Sequence, residues 1–258
     1  MNAHPIIGNP NNPLLIYLHG WSEEGASAKP WLKAIGEQYH CSFPQLPGTG
    51  DIPYRPLGPT LRDFAGWLLK EIDQRFPNRT FHLMGNSLGG MIAQELALLA
   101  PERVTTLILL VTSCYFQDPD RPLSQQVLND LLQYQNIPDA REFVISMIKN
   151  YVIPQNVERF TAAYRALEVT PFPDRRALRD RWNAVTLHNT HNRLPKLTMP
   201  ALVMSGDQDV LLPPNHGEYL ASLLPSATFN LIPNSGHAFG LDAPGFVARE
   251  VMEFLEKH

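Results

Sequence analysis

Between Phe81 and Val104 the chain reads FHLMGNSLGGMIAQELALLAPERV, an apolar strand-like run that meets a helix-like run with almost no room to turn. Such an abrupt corner constrains the fold. Ser87 has to sit at the corner with strained backbone angles, and Gly85 and Gly89 stand where a Cβ would collide with the adjoining strand and helix. The hydroxyl is thereby pushed out above the carboxyl end of a sheet, where open α/β folds place their ligands. The helix amino terminus behind it offers free N–H groups and the positive end of a dipole, a setting for an attacking alkoxide and a developing oxyanion. Taken alone the GxSxG spacing is weak, arising by chance in roughly one in ten chains of this size. A glycine-rich turn packed for its own sake is the bland alternative, and the flanking strand and helix weigh against it.

The surrounding pattern has the same rhythm. LLIYLHG (Leu14–Gly20) reads as a buried strand, KPWLKAIGEQY as a helix and CSFPQL as a short strand. TLRDFAGWLLKEIDQRF follows as a helix with Thr60 as N-cap, its apolar Leu61, Phe64, Ala65, Leu68, Leu69 and Ile72 recurring at helical spacing. Then come a strand over Thr80–Gly85, a helix over Leu88–Ala100 stopped by Pro101, and a strand over Thr105–Thr112. This alternation argues for the α/β class, with a mostly parallel central sheet and helices on both faces.

From about Tyr115 to Lys196 the strand signal fades. Proline-punctuated helical segments cover roughly Leu123–Gln135, Ala140–Tyr151, Asn156–Glu168 and Asp174–Asn189. Strands resume with ALVMSG (Ala201–Gly206) and TFNLIP (Thr228–Pro233). A last amphipathic helix carries Phe246, Val247, Val251, Phe254 and Leu255. The chain thus divides into a core of residues 1–114 and 197–258 and a helical cap insertion, 115–196.

With 258 residues, 44% of them hydrophobic, one substantial core can be buried. A net charge of −4 with no lysine or arginine run argues against a nucleic-acid partner. No stretch reads as a signal peptide or a membrane span, so the cytoplasm is the expected location. Cys41 and Cys114 make no disulfide framework and read as reduced and structural.

A serine hydroxyl needs a base to take its proton and an acid to orient that base. NSGHAFG places His237 just past the last strand, and SGDQDVLLP places Asp209 just past the one before. Asp207 competes with Asp209 and otherwise reads as a loop-turn or capping residue. Asp118, after the Thr105–Thr112 strand, is a further candidate.

With LHGW, LPGTGD, GNSLGG, APERV, GDQDVLLP and SGH in place, the chain resembles the α/β-hydrolase superfamily along nearly its whole length. The resemblance implies Ser87 as nucleophile, His237 as general base and acid, and Asp209 as orienter. The backbone N–H groups of Trp21 and Leu88 would form the oxyanion hole, and no metal or organic cofactor is implied. The Trp21 indole, and Phe143 on a stripe with Val144 and Met147, are candidate substrate-binding walls, with ordinary packing as the alternative. Within the superfamily the chain resembles the small carboxylesterases of biotin synthesis, which act on a pimeloyl methyl ester on acyl carrier protein. The implied activity is hydrolysis of a small-molecule carboxylic ester with a small to medium, largely apolar acyl group, an acyl carrier protein being a candidate partner. Lactonases, carbon–carbon bond hydrolases and thioesterases remain alternatives, and a hydrolase-like ligand receptor is the rival from another class.

Gln45 and Thr49 stand where relatives often carry aspartate and histidine, and the short amino terminus implies reduced antiparallel strands. His19 reads as a structural residue bonded to backbone. His188 and His191 read as a solvated helix end despite their metal-like spacing, and His216 as a surface residue. Arg175, Arg176, Arg179 and Arg181 read as a solvated face balanced by Asp174 and Asp180, an acidic-carrier docking patch being the sharper alternative.

Overall fold

The computed structural model describes residues 5–21, 29–50, 52–134, 136, 140–166 and 174–258. Among them seven strands form one sheet: β1 (Ile6–Ile7), β2 (Leu14–Leu18), β3 (His40–Ser42), β4 (Phe81–Asn86), β5 (Val104–Leu110), β6 (Ala201–Gly206) and β7 (Ala227–Ile232). Their order is β1-β3-β2-β4-β5-β6-β7. From β3 to β7 every pairing is parallel, and the two-residue β1 lies antiparallel on β3. The helices are α1 (Lys29–Leu32), α2 (Ile35–Gln38), α3 (Leu61–Arg75), α4 (Leu88–Leu99), α5 (Gln125–Tyr134), α6 (Ala140–Tyr151), α7 (Pro154–Arg165), α8 (Arg175–Thr186), α9 (Pro214–Leu223), α10 (Phe239–Asp242) and α11 (Pro244–Leu255).

Every residue of β2, β4 and β6 is buried, as a sheet covered on both faces requires. Because successive side chains point to opposite faces, each strand feeds two cores. Leu14, Ile16 and Leu18 join Leu107, Leu109 and the apolar stripes of α3 and α4 on one side. Leu15 and Tyr17 join Ile108, Leu110 and the buried residues of α11 on the other. Helix α3 starts where the sequence signals it: the Thr60 hydroxyl accepts the Asp63 N–H at 3.3 Å, and the Asp63 carboxylate accepts the Thr60 N–H at 2.9 Å. The segment read as one helix over KPWLKAIGEQY instead divides into α1 and α2 on either side of Lys33–Ala34.

Helices α5 to α8 lie between β5 and β6 in the chain, where the strand signal fades. A bridge between Tyr115 and Asn189 closes the base of this insertion, with Thr190 N–H donating to the Cys114 carbonyl at 2.8 Å. Gln135 and Glu168, the expected ends of two of its helices, lie outside the described residues, as does Asp51 of LPGTGD. No helix among the described residues is long and apolar enough to cross a membrane.

The β4–α4 corner is as tight as its glycines imply. A Cβ on Gly89 would stand 2.1 Å from the Leu18 carbonyl oxygen, and one on Gly85 would stand 2.3 Å from that of Gly89. Both obstacles are backbone, which cannot rotate away. Gly89→Ala is therefore expected to destabilise the fold by about 3 kcal/mol or more, read from chemical denaturation; a wild-type midpoint would show that the corner can relax.

Candidate active site

At that corner Ser87 adopts φ 51° and ψ −120°, a conformation costly for a residue with a Cβ. Its neighbours hold it there. The Ser87 N–H donates to Leu110 O at 2.9 Å, and its own carbonyl accepts the Thr112 hydroxyl at 2.7 Å and the Met91 N–H at 3.1 Å.

The loop after β7 brings His237 to the serine, with Nε2 2.9 Å from Ser87 Oγ. The loop after β6 brings Asp209 to the far side of the ring, with Oδ2 2.8 Å from Nδ1. A carboxylate can only accept, so Nδ1 carries the proton and Nε2 is left to accept from the serine hydroxyl. Asp209 is 3% exposed, and its other oxygen accepts the N–H groups of Leu211 and Leu212 at 2.9 and 3.0 Å. Asp207 accepts instead from the backbone of Asn234 and Ser235 at 3.1 and 3.0 Å, tethering the loop that carries His237. Asp118 pairs with Arg121 at 2.5 Å. Ser87, His237 and Asp209 thus form one hydrogen-bonded chain, drawn from three strand ends.

The loop after β2 carries the next component. His19 Nδ1–H donates to Gly20 O at 2.8 Å while Nε2 accepts Leu46 N–H at 3.3 Å. Burial, reinforced by the Arg181 charge, pushes its pKa down to about 3, so the ring stays neutral and can play both parts. This is the structural role read from the sequence. The Gly20 carbonyl and the Trp21 N–H belong to the same planar peptide, so fixing one aims the other in the opposite direction.

Gly20, Trp21, Ser87, Leu88 and His237 line a cavity of about 80 Å³, walled also by Met147 and Trp182. A second cavity, of about 460 Å³, borders His237 and Met147 as well and continues among Tyr17, Trp31, Asn86, Tyr151, Phe160 and Leu241. It is largely apolar, with the Tyr17 hydroxyl bonded to Asn86 Oδ1 at 2.7 Å. The stripe read on α6 reaches these cavities through Val144 and Met147. Phe143 lines neither of the two. Fully buried, it packs on the Trp21 indole with ring centroids 5.9 Å apart, one layer behind the cavity wall.

Three further readings change. Arg181 is 1% exposed rather than solvated, while Arg175, Arg176 and Arg179 remain exposed. Its guanidinium donates to Trp21 O at 2.8 Å, Pro47 O at 3.2 Å and the Thr49 hydroxyl. Burial pushes its pKa down to about 9, which still leaves it charged at neutral pH. The signal was present: Ala177, Leu178, Ala184 and Val185 form a buried stripe on α8, and position 181 falls on it. His188 and His216 are each 3% exposed, whereas His191 is partly exposed. Trp182, on the same turn as Arg181, is a cavity wall that sequence reasoning passed over.

A doubly covered parallel sheet with a strained serine at a strand–helix corner, bonded to histidine and aspartate from later strand ends, defines the α/β-hydrolase class. A family model described as the alpha/beta hydrolase fold matches residues 13–244, and the chain belongs to that family. It is 27% identical over 240 residues to a pimeloyl-[acyl-carrier protein] methyl ester esterase of Nitrosomonas europaea, covering 91% of this chain and 92% of that one. It is 29% identical to a putative carbamate hydrolase, RutD, of Pseudomonas syringae, covering 90% of each. A biotin biosynthesis bifunctional protein of Teredinibacter turnerae is 28% identical over 98% of this chain, which spans 46% of that longer protein. Among solved structures, a hydrolase from Pseudomonas aeruginosa superposes with a TM-score of 0.84 at 24% identity, covering 98% of this chain and 93% of that one. An enol-lactonase from Burkholderia xenovorans gives 0.83 at 19% identity, with 98% and 95% covered; both share the fold.

The buried neutral histidines give the protein an acid-sensitive stability. Burial, then the Arg193 charge, pushes His188 down to about 3. The unfolded chain therefore binds the extra proton first. The contribution of His188 is full above the ordinary histidine pKa and is lost as pH falls from there towards 3. At pH 5 the loss from this one group is about 2 kcal/mol. Unfolding free energies at pH 7 and pH 5 should converge more for His188→Gln than for the wild type, and equal slopes would contradict this.

Proposed function

We propose that this chain is a serine hydrolase of carboxylic esters in which Ser87 is the nucleophile, His237 the general base and acid, and Asp209 the orienting carboxylate. The observation that carries the reading is the pair of contacts about His237, 2.9 Å to Ser87 Oγ and 2.8 Å to Asp209 Oδ2. Ser87 Oγ attacks the ester carbonyl as its proton passes to His237 Nε2. The oxygen that becomes anionic is received by the N–H groups of Trp21 and Leu88, the latter at the positive end of α4. Collapse of the adduct expels the alcohol, to which His237 returns the proton. His237 then takes a proton from water, which attacks the acyl-serine, and returns it to Ser87 Oγ as the acyl–oxygen bond breaks and the acid leaves. The insertion over 115–196 serves as a cap, with α6 and α7 walling the larger cavity and α6 and α8 the smaller.

The two cavities favour an ester with unequal halves. The smaller one holds the nucleophile and both oxyanion donors, and takes a compact acyl group. The alcohol leaves towards His237, beyond which the larger apolar cavity opens. A second reading has support from the relatives named pimeloyl-[acyl-carrier protein] methyl ester esterases. There a long acyl chain delivered by an acyl carrier protein would occupy the larger cavity and methanol would leave. Free, buried Cys41 and Cys114 support a reducing compartment, the cytoplasm.

Ser87→Ala is expected to lower kcat on p-nitrophenyl butyrate by about 10⁴-fold or more with an unchanged melting curve; a folded variant with the wild-type rate would refute the assignment. Matched esters separate the two substrate readings. Acetates of bulky apolar alcohols should exceed methyl esters of long-chain acids in kcat/KM, and the reverse order would favour the carrier-borne substrate.

A further inference from the structure

Two hydrogen bonds run from α8 to a single residue of the loop after β2. The Arg181 guanidinium donates to the Trp21 carbonyl at 2.8 Å, and the Trp21 indole N–H donates to the Leu178 carbonyl at 2.9 Å. The same guanidinium reaches Pro47 O and the Thr49 hydroxyl in the loop after β3. The residue before α8, Asp174, donates its N–H to Gly48 O at 2.8 Å in that second loop. A flat guanidinium with divergent N–H groups can serve acceptors on two loops at once, which a lysine ammonium on a flexible stem does less well.

The consequence lies in which peptide each bond fixes. His19 holds the Gly20–Trp21 peptide, whose N–H is the oxyanion donor of the proposed mechanism. Arg181 holds the carbonyl of the next peptide, and Leu178 holds the indole. The carbonyls on either side of the Trp21 Cα are therefore both held, which restrains the direction of its N–H. The first anchor belongs to the sheet core, and the other two belong to the insertion.

We propose that Arg181 is a positioning residue that makes completion of the oxyanion hole depend on docking of α8. The inference rests on the reading of Trp21 N–H as an oxyanion donor. Arg181 touches no reacting atom. It acts through the Trp21 backbone, so its loss should weaken binding of the tetrahedral state and leave ground-state binding nearly intact.

Arg181→Met and Arg181→Lys test this beside the wild type and Ser87→Ala. The readouts are kcat and KM on p-nitrophenyl butyrate, and Kd for an alkyl trifluoromethyl ketone, which adds to the serine and builds an oxyanion, and for butyrate, which does not. Arg181→Met should lose about ten- to a hundredfold in kcat, with a parallel loss of ketone affinity and KM and butyrate binding within about threefold. Arg181→Lys should fall between Met and wild type. Folded variants with wild-type kcat and ketone affinity, or losses confined to KM and butyrate, would overturn the inference. Failure of both variants to fold would assign Arg181 to stability alone and overturn it equally. A wild type without Ser87-dependent ketone binding would sink the underlying mechanism and this inference with it. Normal wild-type behaviour beside unaffected variants would sink this inference alone.

Discussion

Helix α4 approaches the strands beneath it so closely that no side chain fits between them at Gly85 and Gly89. That contact forces the chain to reverse within Asn86 and Ser87, and the positive φ of the serine follows from it. The cost of the conformation is spread over the Leu110, Thr112 and Met91 bonds that over-determine it. Other strand ends along the same rim then bring their side chains to a fixed hydroxyl: the loop after β2 carries Trp21, the loop after β6 Asp209 and the loop after β7 His237.

Sequence reading reached the parts of the site that obey strand-end logic. Ser87, Asp209 and His237 each follow a short apolar run and sit among small or turn-forming residues, so local pattern puts them at strand ends, while the choice of Asp209 over Asp207 needed the family resemblance. The parallel order of the sheet was legible from strand–helix alternation, and the start of α3 from Thr60 and Asp63. Reading failed where a polar side chain is buried by a partner distant in the chain. Arg181, His188 and His216 look like solvent-facing groups by residue type, and only packing against loops more than a hundred residues away, in the case of Arg181, makes them interior. The division of α6 between Phe143, behind Trp21, and Val144 and Met147, on the cavities, depends on how the helix is rotated, and hydrophobic spacing fixes a face only broadly.

The hydrogen-bonded chain lies on the core side, and apolar side chains face it from the other. From the core come Asp209 and His237 together with apolar Trp31, Leu88 and Leu241; from the helices between β5 and β6 come Val144, Met147, Phe160 and Trp182. Excluding water from such a roof strengthens every charge interaction beneath it. The buried Arg181 cation adds to this at the loop after β2, where it also helps to keep His19 neutral.

Asp242 ties the histidine loop to the same insertion. It accepts the N–H groups of Gly236 at 2.9 Å and Ile153 at 3.3 Å, and the Asn156 side-chain amide at 2.9 Å, while Ala238 N–H donates to Tyr151 O at 3.0 Å. The junction between α6 and α7 is thus buttoned to the histidine loop, as α8 is to the loop after β2. A swing of α6 to α8 as a single rigid door would have to undo both clasps together, and would disturb the loops that carry His237 and Trp21 at the same moment.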